Sequence, residues 1–354
     1  MLTQIAKGRV FDYSHSVGRG AASGMGFSQP TAMAFEGNTV YVLNRGIEGI
    51  SNVPWNKLAY GARVSIIDLG ENEGDEEFTG EFGKYGDRDG EFIWPSGMVL
   101  APNGHIYVAD EWMNQVSEFE KDGTFVARWS AVPEDDGKEH GTSSIAVDGD
   151  GNIYCTDGRS HEVRKFTGDG RLITSWGSLG DGSGEFNSPW GITVDQSDGS
   201  VYVADHRNHR VQKFTTDGEW LMQFGEPGTK RGQMHLPVQV TIDPQGDVYV
   251  ADWSDNGMHA GKVHVFDKEG NFIISLIGDA QWLSKWADMT VVANADYLKR
   301  RREVPTTESE WRFALPTDVH FDEERGRLVV LDAQRSRLQI YNKMDNYMVP
   351  QMNL

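Results

Sequence analysis

One four-residue phrase recurs along the chain. It reads Tyr107-Val108-Ala109-Asp110, Tyr154-Cys155-Thr156-Asp157, Tyr202-Val203-Ala204-Asp205 and Tyr249-Val250-Ala251-Asp252. A looser copy is Val329-Val330-Leu331-Asp332, and Tyr41-Val42-Leu43-Asn44 heads the series with Asn in place of Asp. The steps from Asp110 to Asp157, Asp205 and Asp252 are 47, 48 and 47 residues. A period of that size is the mark of a repeat array in which neighbouring units bury each other's apolar faces. Length alone would argue for two or three domains in 354 residues; a closed array argues for one.

Residues 186–233 show the unit most clearly. Phe186-Asn187-Ser188-Pro189 leads into a strand, Trp190 to Asp195, and a turn at Ser197-Asp198-Gly199 leads into a second, Val201 to Asp205. The loop His206 to Arg210 precedes a third strand, Val211 to Phe214, and Asp217-Gly218 turns the chain into a fourth, Glu219 to Phe224. Asp-Gly pairs favour tight hairpins because glycine takes positive φ without a steric cost. First strands begin near Pro30, Pro95, Thr142, Pro189, Pro237 and Pro316, which makes six units at about 27–91, 92–140, 141–185, 186–233, 234–280 and 312–347. The last has no fourth strand. The N-terminal stretch 8–20 supplies one, because Arg9 to Tyr13 followed by Gly18-Arg19-Gly20 matches the fourth-strand ending Ile173 to Gly177. The expected fold is an all-β, six-bladed β-propeller of four-stranded antiparallel blades, sealed by the N-terminal strand. The pattern Pro-x-Gly-Ile-x-Val-Asp, then Tyr-Val-Ala-Asp-x-x-Asn-x-Arg-Val-x-Lys-Phe, resembles the NHL repeat; its fullest copy runs from Tyr202 to Phe214.

Two intervals break the period. Asn44 to Asp110 is 66 residues and Asp252 to Asp332 is 80, excesses of 19 and 33 over 47. The extra residues fall at Gly46–Gly61, Ser254–Gly261 and 279–311. In a four-stranded blade, the loops joining strands two and three leave the same face as the loops joining one blade to the next. All three insertions therefore belong to one face, over blades five, six and one, where long loops point to a binding surface. Trp282, Leu283, Trp286, Met289, Val292 and Leu298 recur at helical spacing ahead of Lys299-Arg300-Arg301-Arg302-Glu303. They predict an amphipathic helix lying over the face as a lid.

The strand-two Asp residues read as turn caps. The residues directly after each first-strand Pro or its equivalent should ring the channel mouth: Thr31, Ser96, Ser143, Trp190, Val238 and Thr317. That ring holds no histidine. Arg45, Glu111, Arg159, His161, His206 and His259 fall on the loops of the same face, and basic groups there would suit a carboxylate or an oxyanion.

Tyr41 to Gly46 with its insertion resembles the first blade of the peptidyl-α-hydroxyglycine α-amidating lyases and their bacterial relatives. These are six-bladed NHL-type propellers with catalytic zinc and a structural calcium. The resemblance implies an active-site arginine at Arg45 and a second at the position of His206. It implies a calcium in the central channel held by Asp318 and the carbonyls of Met33 and Met98. The chain departs from that family where the zinc histidines would stand, at Ser96, Trp190 and Thr317, and where the catalytic tyrosine would stand, at Arg159. Zinc chemistry of that kind therefore has no ligands here.

Two functions follow. One is a lyase- or hydrolase-like enzyme acting on a small, anionic organic molecule at the mouth. In it, Arg45 anchors the anion, His206 is general acid or base, and Arg159 joins them. Trp190, Ser96, Thr317, Glu111, His161, His259, Trp282 and Trp286 form the walls. The other is a non-catalytic scaffold that holds a protein or peptide on the same face. The formal charge of −20 argues against nucleic acid and anionic membrane surfaces as partners. Cys155 alone allows no internal disulfide and reads as a buried thiol. Neither a signal-type apolar segment near Met1 nor a run near the ~18 residues of a membrane span is visible, so a cytoplasmic chain is expected. Oligomeric state is left open.

Overall fold

The computed structural model describes residues 2–50, 57–133, 137–253, 261–294, 296, 299, 303 and 310–344. Each blade has strands a to d from the axis outward. Blade two is the pattern: Pro95–Leu100, Ile106–Asp110, Gln115–Phe119 and Phe125–Ser130, each antiparallel to the next. Blades three, four and five repeat it in the order a-b-c-d, beginning at Thr142, Pro189 and Pro237. Blade one inserts a hairpin, Ile47–Ile50 with Lys57–Tyr60, between b and c. Blade six takes a, b and c from Pro316–Asp322, Arg327–Asp332 and Arg337–Met344, and d from Arg9–Val17. The N-terminal strand thus closes the ring as expected. A fifth strand, Thr3–Ala6, then hairpins onto its outside, which the repeat alone does not predict.

Strand alternation puts one set of side chains toward each neighbouring blade. The core is accordingly six apolar clusters, one per seam. Between blades three and four, for example, Ala146 and Tyr154 meet Ile192, Val201 and Phe214. Cys155 lies in the adjoining seam, where burial pushes its thiol up to about 12. Hydrogen bonds tie the seams near the axis. Thr31 Oγ1 donates to the Pro95 carbonyl at 3.4 Å, Ser96 Oγ to Thr142 at 2.6 Å and Thr317 Oγ1 to Pro30 at 3.1 Å. Thr156 Oγ1 donates to the Trp190 carbonyl.

The strand-b carboxylates cap turns. Asp110 accepts the amides of Ile93, Trp94, Trp112 and Met113. Asp252 and Asp332 likewise hold the amides that precede strand a of their own blades. Each therefore pins the loop entering its blade to the loop leaving strand b.

The predicted helix exists as Lys285–Val292, capped by Ser284, whose hydroxyl accepts the Ala287 amide. It does not take the position of a lid. Trp286 is 1% exposed and buried in the seam between blades six and one, against Phe27. Ser284 Oγ donates to the Gly18 carbonyl, and Lys285 Nζ to those of Gly74 and Glu76. The large apolar residue went to the place where most water could be shed, which is the outer wall of the closing seam. Leu298 and His259 lie outside the described residues.

Candidate functional site

The first residue after strand b is Arg45, Glu111, Gly158, His206, Trp253 or Ala333 in the six blades in turn. They fall into two groups. On blades one and two, Arg45 Nη1 is 3.1 Å from Glu111 Oε2, and its guanidinium lies 4.8 Å from the Trp94 ring centre. Trp94 Nε1 donates to Glu48 Oε2 on the inserted hairpin at 2.9 Å, and Trp94 meets the exposed Trp112 edge-on at 4.9 Å. Arg45 and Glu111, expected as an anion anchor and a wall, therefore neutralise each other.

On blades four and five, His206 packs against two indoles that also touch each other. Its ring centre is 4.8 Å from that of Trp190 and 5.7 Å from that of Trp253, and the two indoles are 4.8 Å apart. His206 is 6% exposed. Burial lowers its pKa to about 4, and the bond to Pro237 only partly opposes this. Its Nδ1 donates to the Pro237 carbonyl at 3.1 Å. A carbonyl can only accept, so Nδ1 carries the proton and Nε2 carries the lone pair. Trp253 Nε1 is buried without a hydrogen-bond partner among the described residues. Trp253 escaped sequence reasoning, although its place directly after a strand-b Asp, like that of His206, could have marked it.

The other expected site residues divide. Trp190 and His206 are brought together. Ser96 and Thr317 are on the ring, but their hydroxyls are engaged in seam bonds. His161 has φ 61° and its Nδ1 accepts the Ser188 amide at 3.0 Å. The same turn position holds Asn114, His209 and Ser336, all with positive φ, so His161 serves the repeat and is not a site group. Arg159 is exposed on this face. Trp286 is in the seam core and Trp282 is 76% exposed beside it, so neither forms a wall at the mouth.

A cavity of about 670 Å³ occupies the channel and reaches the opposite face, through the a–b turns at Pro102, Ser197 and Pro244. Met33, Met98 and Asp318 line it together. Asp318 accepts the amides of Met33 at 2.6 Å and Val319 at 2.8 Å. Burial raises its pKa to about 7, which these bonds and one from Gln239 only reduce. His320 stacks on Phe35 in the same wall at 4.3 Å. Among the described residues, no group of three or more His, Cys, Asp or Glu is placed to hold a metal ion.

Residues 92–119 and 186–214 match the NHL repeat model. The chain is a six-bladed β-propeller that carries NHL repeats. No curated protein matches the sequence. Among solved structures, the NHL propeller resembles virginiamycin B lyase from Staphylococcus aureus, with 14% identity, TM-score 0.52, and 94% of this chain and 99% of that chain covered. A catalytically inactive form of that enzyme with quinupristin aligns at 15% identity and TM-score 0.51, covering 88% and 94%. A streptogramin B lyase aligns at 13% identity and TM-score 0.53, covering 94% and 98%. At such identities the likeness is one of fold. No helix among the described residues is long and apolar enough to cross a membrane.

Proposed function

We propose that this propeller is an enzyme of the lyase or hydrolase type acting on a small, anionic organic molecule at the mouth formed by the b–c loops. The observation that carries the reading is the imidazole of His206: neutral, with Nδ1 held by the Pro237 carbonyl, so that Nε2 keeps its lone pair, and with the ring packed against Trp190 and Trp253. A proton acceptor with a perturbed pKa at a ring mouth is a functional-site pattern. In an elimination, Nε2 takes the proton from the carbon next to the bond that breaks. The electron pair forms the double bond, and the leaving oxygen departs hydrogen-bonded to Trp253 Nε1–H. In a hydrolysis, the same nitrogen takes the proton of the attacking water. Arg159 is the anion anchor, being exposed and without an ion pair among the described residues. Arg45 would join only where substrate replaces Glu111. The solved lyases of the same fold favour elimination by analogy alone.

A calcium ion near Asp318 is the second element of the reading. The residues fit it in charge, because the buried carboxylate has no basic group among the causes of its raised pKa. They supply one carboxylate and the carbonyls of Met33 and Met98, and water would have to complete the six to eight oxygens calcium takes. It would neutralise the channel wall. One observation favours the scaffold reading instead: Trp112, 54% exposed against Trp94, offers an apolar foothold for a peptide.

The test is turnover of a panel of esters, lactones and cyclic depsipeptides, quinupristin included, by the wild type and His206→Asn. An asparagine amide keeps the donor to Pro237 and removes Nε2. Loss of turnover in a folded variant supports the base. Unchanged turnover sinks it, and peptide capture without turnover of any compound turns the reading to a scaffold.

A further inference from the structure

A second cavity, about 230 Å³, lies in the outer wall where the ring closes. One side is strand d of blade six, another the c–d loop of blade one, and the third the insertion around the helix. Its walls carry polar atoms that the fold leaves unsatisfied. Glu76 is 1% exposed, and neither carboxylate oxygen has a hydrogen-bond partner. Burial dominates and raises its pKa, which its own amide, the charge of Lys285 and the Gly74 amide only partly oppose. His15, also on the wall, is 9% exposed; Nδ1 is 2.8 Å from Ser14 Oγ, and Nε2 is buried with no partner. Orphaned buried polar atoms are costly, so three on one small cavity call for an explanation.

We propose that this pocket binds a small molecule bearing a guanidinium group, with Glu76 as its principal ligand. Two free oxygens on one carboxylate call for two parallel donors, and the planar guanidinium fork supplies them. A third N–H reaches His15 Nε2, which accepts when Nδ1 turns its proton toward Ser14 Oγ. Glu73 and Asp288 also line the pocket, so three carboxylates face it against one ammonium, that of Lys285. Lys285 Nζ is held by the carbonyls of Gly74 and Glu76 at 2.8 and 3.1 Å, which leaves the carboxylate oxygens of Glu76 open. Trp282 stands at the rim, 76% exposed, and an indole face there suits a flat cation. The occupant touches both the N-terminal strand and blade one. It therefore stabilises ring closure, because it binds only the closed fold.

The test is titration of the full-length protein with methylguanidinium, followed by calorimetry and by thermal shift, with methylammonium as the comparison. Expected are saturable binding, a rise in Tm, and at least about a tenfold loss of affinity in Glu76→Gln. Trp282→Ala, on an exposed side chain that leaves the fold intact, should weaken binding by about threefold or more. His206→Ala should leave binding unchanged, which separates this pocket from the mouth. Absence of saturable binding, equal binding by Glu76→Gln, or equal affinity for methylammonium would each overturn the assignment.

Discussion

Asp318→Asn should make the protein's stability respond differently to pH. Asp318 is 4% exposed, and burial raises its pKa from 3.8 to about 7. Between those values the folded protein holds a proton that the unfolded chain has released. The unfolded state binds fewer protons there, so stability is highest below pH 3.8, falls as pH rises, and levels off above about 7. About three pH units correspond to about 4 kcal/mol, an upper bound because the carboxylate can recruit water from the channel. The variant cannot ionise at this position. Whatever fixed cost it bears for placing an amide NH₂ near the Met33 and Val319 N–H groups, its stability relative to wild type should improve by up to about 4 kcal/mol between pH 4 and pH 8. Urea unfolding in EDTA at several pH values measures this, with His206→Asn as a control that keeps Asp318. A wild-type–variant difference that stays constant with pH would refute the assigned burial cost. Calcium added at pH 8 separates the remaining alternatives. If it restores wild-type stability and leaves the variant unchanged, the channel ion is supported; if it affects neither, that proposal is withdrawn.

Turnover at the mouth should need neutral His206, so kcat/KM should rise with pH through about 4 and stay flat from about 6 to 8; a midpoint near the ordinary 6.5 would show that another group is the base. The same residue should make the protein lose stability as pH falls from 6.5 toward 4, because the unfolded chain takes up its proton first; acid titration of wild type against His206→Asn reads this directly. Trp286→Ala should cost about 3–5 kcal/mol by calorimetric unfolding, whereas Trp282→Ala, four residues away and exposed, should cost less than about 0.5 kcal/mol. Similar losses in the two would contradict the seating of the helix. Cys155, buried and with its thiol pushed up to about 12, should react with a thiol reagent only after unfolding; rapid labelling of the folded protein would contradict its burial.

The period of the Tyr-Val-Ala-Asp phrase made the fold legible. It located six blades and the missing strand that Arg9–Val17 fills, because each unit can bury its faces only against a copy of itself. The turn-capping Asp residues were legible for the same reason, since their partners lie within 18 residues in the same unit. The insertion helix was found by its spacing but put in the wrong place. Periodicity shows that Trp286 must be buried somewhere and does not say against what. The candidate site was only half legible. Trp190 and His206 were chosen separately and prove to be neighbours, while Trp253, one blade further on, was marked only by its place after a strand-b Asp and was passed over.

The sequence by itself determined the repeat, the blade count, the closing strand and the face on which unusual residues gather, because each follows from local pattern and the geometry of a four-stranded blade. Only the tertiary structure decided which charges are spent and which remain. Arg45 is matched by Glu111 across one seam, Ser96 and Thr317 are tied into others, and His206 is kept neutral by burial, with its Nδ1 proton fixed on a carbonyl of the next blade. Glu76 and His15, unremarkable in the sequence, become a pocket with unsatisfied walls when the two ends of the chain meet. The physical reason is the same throughout. These partners come from adjacent blades, 31 to 287 residues away in the chain, and no local pattern encodes them.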